Sequence, residues 1–237
     1  LEVRDLYITY NSMKNYSIKK SFFHLKKAER DRIEAVKGVS FVLEKGKILG
    51  IVGRNGSGKS TMLKSIAGIF APDSGTVDLH GNSISLMSIG VGFNNELTGR
   101  ENIALSGLLL GFSKEFIDSK TQEIIDFSEL GRFIEMPVRT YSSGMHSKLA
   151  FSITAILETD IMLVDEVLSV GDAKFRKKSF NKMKELITDT NRTVVVVSHV
   201  MDTLKKLCDT ILWINDGEVV MYGPAAEVLP EYETFMS

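Results

Sequence analysis

Residues 53–60, GRNGSGKS, fit the pattern G-x-x-x-x-G-K-[ST], in which backbone N–H groups surround phosphate oxygens. We refer to this segment as the phosphate loop. Its three glycines let the backbone curl inward, and the start of the following helix adds positive potential. Lys59 supplies a cation for the β- and γ-phosphates, and the Ser60 hydroxyl can ligate Mg²⁺. The segment therefore predicts a site for a nucleoside triphosphate with magnesium.

An acidic pair, Asp165-Glu166, follows a short apolar run. The carboxyl ends of parallel strands gather at one edge of a sheet, so this pair should lie near the phosphate loop. Asp165 would hold Mg²⁺ through water, and Glu166 would orient and deprotonate an attacking water. Taken alone, such a pair is equally typical of a helix cap.

His199 ends another apolar run and is predicted at the same edge, where it can reach the γ-phosphate and report its loss. A single histidine is usually structural, and we give that interpretation to His24, His80 and His146.

Two serines and a glycine begin a predicted helix at residues 141–145, YSSGM. Ser142 and the neighbouring backbone N–H groups can bind a second anion. This serine-glycine turn is too far along the chain from the phosphate loop to serve the same nucleotide. An ordinary serine cap is the alternative.

Three short runs position this chemistry: ILGIVG (48–53), DIMLVDE (160–166) and TVVVVSH (193–199). They are β-branched and do not alternate, which predicts strands buried on both faces of a parallel sheet. Helical patterns separate them, giving α/β order.

Other segments predict antiparallel pairing and helices. Before residue 80, strand-like pieces broken by glycine and charged turns predict an antiparallel layer, and a hairpin is expected to turn at Asp216-Gly217. Thr98 and Glu101 fit a capping box. The next helical stretch, from near Ser113, is predicted to end at Gly131.

Amino-acid composition narrows the classes of function that the chain can have. The 237 residues are 43% hydrophobic and 25% charged, which is ordinary for a globular protein. The 29 basic and 30 acidic side chains nearly cancel, which argues against a nucleic-acid partner. The single cysteine, Cys208, excludes an internal disulfide and favours a reducing compartment, and the absence of a long apolar run predicts that the chain itself does not cross a membrane.

In their order along the chain, the phosphate loop, the helical segment, YSSGM, the acidic pair, SVGD (169–172) and His199 resemble the nucleotide-binding subunits of ABC transporters. The resemblance covers nearly the whole chain. It implies an α/β P-loop NTPase fold with a mixed, mainly parallel core sheet, an N-terminal antiparallel β layer and a helical signature subdomain.

The resemblance also implies one ABC ATP-binding domain over residues 1–237. Residues 1–97 and 158–237 would form the RecA-like core with the antiparallel layer, and residues 98–157 the helical subdomain. Residues 11–33 would form an insert within the first part.

ATP and Mg²⁺ are the implied ligands. The resemblance assigns catalysis to Glu166, His199 and Lys59, and metal binding to Ser60 and Asp165. It assigns the following residues to nucleotide binding: Tyr10, Gly53, Arg54, Asn55, Gly56, Ser57, Gly58, Lys59, Ser60, Thr61, Ser142, Ser143, Gly144 and Asp172. Tyr10 would stack on adenine, with Tyr16 as the second choice.

In the family, the signature, usually LSGGQ, closes over ATP held by another subunit. Here Ser142 and Gly144 match it. Three positions depart from it: Tyr141, Ser143 and Met145. One signature and one phosphate loop per chain imply two identical sites in a homodimer, unless a degenerate paralogue substitutes. Asp172 would lie near the partner's phosphate loop or act as a helix cap.

The insert carries seven lysines and arginines against two acidic residues. Ile18, Phe22 and Leu25 have helical spacing, which favours a short basic amphipathic helix suited to a membrane surface or a channel mouth. A solvated charged loop is the alternative. The glutamine usual after the phosphate loop is absent near residues 88–89, and Asn94 or Asn95 is its candidate substitute.

With GVGFNNELTGREN and DEVLSVGD, the insert resembles ATPases that export cell-surface polysaccharides such as O-antigen, teichoic acid or capsule. That likeness implies a transmembrane permease subunit, an undecaprenyl-linked glycan as cargo and a location at the cytoplasmic face of the membrane. The alternatives are another cargo, such as a drug, lipid or nutrient, or an ATPase of DNA repair or translation. The last class needs a coiled coil or two cassettes, and this sequence has neither.

Overall fold

The computed structural model describes residues 1–12, 31–87, 92–165, 171–189 and 191–236. These residues contain nine strands: β1 (Glu2–Ser12), β2 (Asp31–Val42), β3 (Ile48–Val52), β4 (Ser74–Asp78), β5 (Ile84–Met87), β6 (Ile161–Asp165), β7 (Thr193–Val197), β8 (Thr210–Asn215) and β9 (Glu218–Pro224). They also contain seven α-helices: α1 (Lys59–Ile66), α2 (Gly99–Leu109), α3 (Lys114–Ser128), α4 (Ser143–Leu157), α5 (Ala173–Thr188), α6 (Met201–Leu207) and α7 (Ala225–Met236). None of these helices has the length and apolar character that a membrane span requires.

A six-stranded sheet with the order β5-β6-β7-β3-β8-β9 forms the centre of the fold. The first five strands in this order run parallel to their neighbours, and β9 is antiparallel to β8. The three apolar runs predicted as buried strands are β3, β6 and β7, and nearly every residue in them is buried. Apolar side chains cover both faces of the sheet, so the α/β expectation is confirmed.

The predicted hairpin joins β8 to β9 at the edge of this sheet. Asp216 and Gly217 both have positive φ, 49° and 83°. Two consecutive residues with positive φ are what a tight type I′ turn requires, and Asp-Gly is a favoured pair for it. The hairpin prediction is confirmed.

A second sheet of three antiparallel strands, with the order β2-β1-β4, confirms the predicted N-terminal layer. Its strands run further than the sequence suggested, because Tyr10 pairs with Ile33 and Ser12 with Asp31. The two ends of the expected insert are therefore strand residues. The predicted amphipathic helix and Tyr16 fall within residues 13–30, outside the described residues.

Helices α2, α3 and α4, which follow β5 and precede β6 along the chain, pack around an apolar cluster of their own. The predicted capping box is present: the Glu101 N–H donates to Thr98 Oγ1 at 3.2 Å, and the Thr98 N–H donates to the Glu101 carboxylate at 2.8 Å. The expected end of α3 at Gly131 is wrong. Glu129 takes a left-handed conformation (φ 56°), so the helix ends at Ser128, and residues 131–135 form a separate 3-10 helix.

Candidate nucleotide-binding site

The phosphate loop connects the buried strand β3 to helix α1, as its sequence pattern requires. Gly58 precedes the helix with φ 98°, and a Cβ atom there would lie 2.1 Å from the backbone oxygen of Ala35. A Cβ on Gly53 would lie 2.1 Å from the backbone oxygen of Ile214. Neither site has room for a side chain, so the loop is held between β2 and β8 by close backbone approach.

Lys59 is buried, with 6% of its surface exposed. Its Nζ donates to the backbone oxygen of Gly53 at 2.8 Å and to that of Arg54 at 2.9 Å. The ammonium group thus lies inside the curve of the loop, where a phosphate oxygen can exchange for a carbonyl. The residues at the tip of the loop are exposed: Arg54, Asn55 and Gly56.

Ser57 contributes a buried hydroxyl to the same loop. Its side chain is 3% exposed, and within the described residues its Oγ has no hydrogen-bond partner. A buried hydroxyl without a partner costs free energy that a polar ligand can recover. The loop is therefore suited to a ligand with oxygen atoms.

Ser60 and Asp165 meet at the edge of the parallel sheet. The Ser60 hydroxyl donates to the Asp165 carboxylate at 3.1 Å, across 105 positions of sequence. Hard oxygen donors are the ligands that Mg²⁺ prefers, and Mg²⁺ usually takes one or two from the protein with the rest from phosphate and water. The part of the chain that the structure describes has no cluster of three or more His, Cys, Asp or Glu side chains that could hold a metal ion. The pair fits a magnesium ion bound together with a nucleotide.

Tyr10, near the end of β1, lies beside the first turn of α1. Its hydroxyl donates to Thr61 Oγ1 at 3.3 Å, and its ring is 6.4 Å from the Phe70 ring in an edge-on arrangement. The side chain is 44% exposed. A partly exposed ring next to the phosphate loop can stack on a base, which keeps Tyr10 as the candidate for adenine.

The other candidates at this edge differ in how far the structure describes them. Glu166 lies outside the described residues, which resume at Gly171. His199 is exposed and follows β7 by two residues. Because Val197 pairs with Asp165 in the sheet, His199 lies at the same edge as Asp165.

The serine-glycine turn caps α4, since Ser142 Oγ accepts the N–H of Met145 at 3.2 Å. It borders a pocket of about 370 Å³ whose lining includes Ser142, Gly144 and Asp172. Of the residues described, none from 53–61 lines this pocket. The structure therefore brings three predicted nucleotide ligands together at a place separate from the phosphate loop of the same chain.

Asp172 caps α5 and forms an ion pair across the same pocket. Its carboxylate accepts the N–H of Phe175 at 2.9 Å and lies 2.7 Å from Lys148 Nζ. The hydrogen bond from Lys148, followed by that from Phe175, lowers the Asp172 pKa to about 2. Sequence analysis missed Lys148, which lies 24 positions from its partner.

Of the two candidate substitutes for the usual glutamine, Asn94 and Asn95, the first has hydrogen bonds to nearby residues. Asn94 Oδ1 accepts the N–H of Glu96 at 3.0 Å, and the Asn94 backbone binds the Asn102 side chain. Residues 88–91, which contain the expected glutamine position, lie outside the described residues. The Asn94 side chain thus stabilises a turn before α2.

The sequence model of the family described as ABC transporter matches residues 36–169, more than half of the chain. The protein therefore belongs to the ABC transporter family. Among its relatives, an O-antigen export system ATP-binding protein of Klebsiella pneumoniae is 40% identical over 93% of this chain and 91% of the relative. A protein of the same description from Myxococcus xanthus is 44% identical over 90% of this chain and 49% of the relative. A teichoic acids export ATP-binding protein of Lactococcus lactis is 47% identical over 85% of this chain and 43% of the relative. The chain thus spans about half the length of the last two.

Two solved structures agree with the fold. The ATP-binding subunit of an ABC transporter aligns with 98% of this chain and 92% of its own at a TM-score of 0.72 and 20% identity. A dimeric ATP-binding cassette in a post-hydrolysis state, bound to ADP and phosphate, aligns with 94% of this chain and 98% of its own at a TM-score of 0.68 and 24% identity. The ABC ATPase fold expected from the sequence is confirmed.

Proposed function

We propose that this protein is the ATP-hydrolysing subunit of a membrane ABC exporter that moves a cell-surface polysaccharide through a separate transmembrane subunit. The main support for ATP hydrolysis is the 3.1 Å contact between the Ser60 hydroxyl and the Asp165 carboxylate. This contact lies next to the phosphate loop, which surrounds the Lys59 ammonium. These groups come from distant parts of the chain and form one site for a triphosphate and a divalent cation.

Each residue has a role in this site. The loop N–H groups and Lys59 bind the phosphates, and Tyr10 orients the base. Ser60, and Asp165 through water, would hold Mg²⁺, which would supply positive charge against the phosphates. Glu166 orients the attacking water and accepts its proton, and His199 binds the γ-phosphate and responds to its loss.

Two copies of the chain would complete two such sites. The pocket of Ser142, Gly144 and Asp172 carries the starts of α4 and α5, which favour an anion from another molecule. A hydrogen bond to a charged group contributes about 1.5–3 kcal/mol. Two such bonds at each of two sites contribute roughly 6–12 kcal/mol to the free energy of dimerisation. Changing a dissociation constant from millimolar to nanomolar takes about 8 kcal/mol, so these bonds are enough to switch the dimer. ATP would close the dimer, and loss of the γ-phosphate would open it.

A permease would contact a groove between the helical region and the central sheet. This groove has a volume of about 470 Å³, and its lining includes Ile69 and Leu109, which are 44% and 66% exposed. Exposed apolar side chains around a groove are typical of a protein interface. The names of the relatives support polysaccharide cargo, and the exporter role would hold the protein at the cytoplasmic face of the membrane.

The test is the variant Glu166→Gln, which removes the proton acceptor and keeps the size of the side chain. It should bind ATP, hydrolyse it at a small fraction of the wild-type rate, and elute as a dimer with MgATP in size-exclusion chromatography. Its matched control adds Lys59→Ala, which should prevent ATP binding and leave a monomer. A Glu166→Gln variant that is monomeric at saturating MgATP would refute the shared site.

The cargo is tested in cells. Replacing the natural gene with the Glu166→Gln gene should leave the glycan inside and deplete it from the surface, as measured with a polysaccharide-specific antibody. Normal surface glycan in that strain would refute polysaccharide export and leave the ATPase assignment intact.

A further inference from the structure

The C-terminal helix α7 contacts the phosphate loop from outside. The Arg54 guanidinium lies over the Phe235 ring, 4.7 Å from its centroid. Arg54 belongs to the exposed tip of the loop, and Phe235 is 40% exposed. A guanidinium within about 6 Å of a ring centroid is attracted to the face of the ring. The tip of the loop thus has a specific partner on α7.

A second residue of α7, one helical turn earlier, contacts the start of the loop. Tyr232 is 5% exposed, and burial raises its pKa, opposed by a hydrogen bond from the Gly53 backbone and by the charge of Arg54. Both aromatic rings of α7 pack on Trp213 of β8, with centroids 5.5 Å and 5.0 Å away. The helix contacts are therefore anchored in the central sheet.

The two loop residues contacted by α7 are the ones that hold the catalytic lysine. Lys59 Nζ binds the backbone oxygens of Gly53 and Arg54. Gly53 also has the Ile214 backbone at its other side, too close for any side chain. Residues 53 and 54, at the start of the phosphate loop, thus lie between β8 and α7. Their position determines where the Lys59 ammonium lies.

We propose that Phe235 is a positioning residue, through which α7 holds the phosphate loop in the shape that accepts a nucleotide. This inference rests on the proposed nucleotide site and adds a distant helix to it. A loop that is ordered before binding loses less conformational entropy when the ligand arrives, so removing the α7 contact weakens binding.

The test is Phe235→Leu, which keeps an apolar side chain and removes the ring face. Because the lost contact is at an exposed site, the variant should bind ATP with a Kd roughly two- to fivefold weaker, as measured by calorimetry. Phe235→Trp should retain wild-type affinity, because tryptophan offers the best ring face for a cation. The matched control is Phe116→Leu. Phe116 is 38% exposed and stacks on Phe112, away from the loop, so the Kd of this variant for ATP should equal that of the wild type.

A double-mutant cycle separates positioning from a general loss of stability. If Phe235 acts through Arg54, then Phe235→Leu has no further effect on Kd in an Arg54→Met background. Equal weakening in both backgrounds would overturn the inference, as would an unchanged Kd for Phe235→Leu alone in a wild-type protein that binds ATP. A wild-type protein that does not bind ATP would instead overturn the proposed function together with this inference. Melting temperatures of all variants establish that each is folded.

Discussion

Two glycines of the phosphate loop, Gly56 and Gly58, provide a test with an internal control. Both have positive φ, 82° and 98°. A Cβ on Gly56 would meet no atom within 4 Å, whereas a Cβ on Gly58 would lie 2.1 Å from the backbone oxygen of Ala35. Alanine at the two positions therefore shares the backbone penalty, and the steric penalty applies to Gly58 alone.

The expected magnitudes follow from this difference. Placing an L-residue in the left-handed region costs about 1–2 kcal/mol, which is the whole cost for Gly56→Ala. Overpacking adds about 1–3 kcal/mol for Gly58→Ala, for a total of roughly 2–5 kcal/mol. The atom in the way belongs to the β2 backbone, so relaxation must move the loop or the strand.

Urea denaturation of both variants measures these free energies of unfolding, and thermal melting provides a second measure. For a chain of this size about 1 kcal/mol corresponds to about 2–4 °C, so Gly56→Ala should lower the melting temperature by roughly 2–8 °C. Gly58→Ala should lower it further and abolish ATP binding, since the loop must shift. Equal destabilisation of the two variants would refute the argument that backbone approach at Ala35 determines the shape of the loop.

Three further results are expected. Ser60→Ala should raise the Mg²⁺ concentration for half-maximal ATP hydrolysis by about tenfold or more and leave Mg²⁺-free ATP binding unchanged, because it removes one of the two proposed metal ligands. Lys148→Met should raise the Asp172 pKa from about 2 toward its ordinary 3.8, as followed by NMR titration. Since the wild-type pKa is lowered, the stability from this pair is complete above pH 3.8 and is lost as the pH falls through about 2. Burial raises the pKa of Cys208 to about 12, so its thiol should react with a thiol reagent at pH 8 far more slowly in the native protein than in urea; equal rates would contradict this.

The central strands and the capping box were predictable because their signals are local. The buried runs at β3, β6 and β7 contain few polar residues, and Thr98 and Glu101 are three positions apart. The edge that unites Ser60 with Asp165 was also predictable, since parallel strands end together.

The wrong and the missed predictions concern positions where tertiary contacts, and not the local sequence, determine the structure. A glycine signal at Gly131 suggested the end of α3, but Glu129 takes the left-handed conformation first, beside Lys178, which lies 3.3 Å away. The ion pair of Lys148 with Asp172 and the contact of Arg54 with Phe235 join distant parts of the chain. Arg54 and Asp172 lie in motifs that the sequence marks, but nothing in the type or spacing of Lys148 and Phe235 marks them as the partners of those residues.

The pairing of Ser12 with Asp31 fixes where the chain between them begins and ends. The 18 residues between them leave the hairpin and return to it at adjacent points, two positions beyond Tyr10. A change of sequence between Ser12 and Asp31 thus begins and ends two positions from Tyr10 and its pairing partner Ile33, next to the residue proposed to stack on adenine.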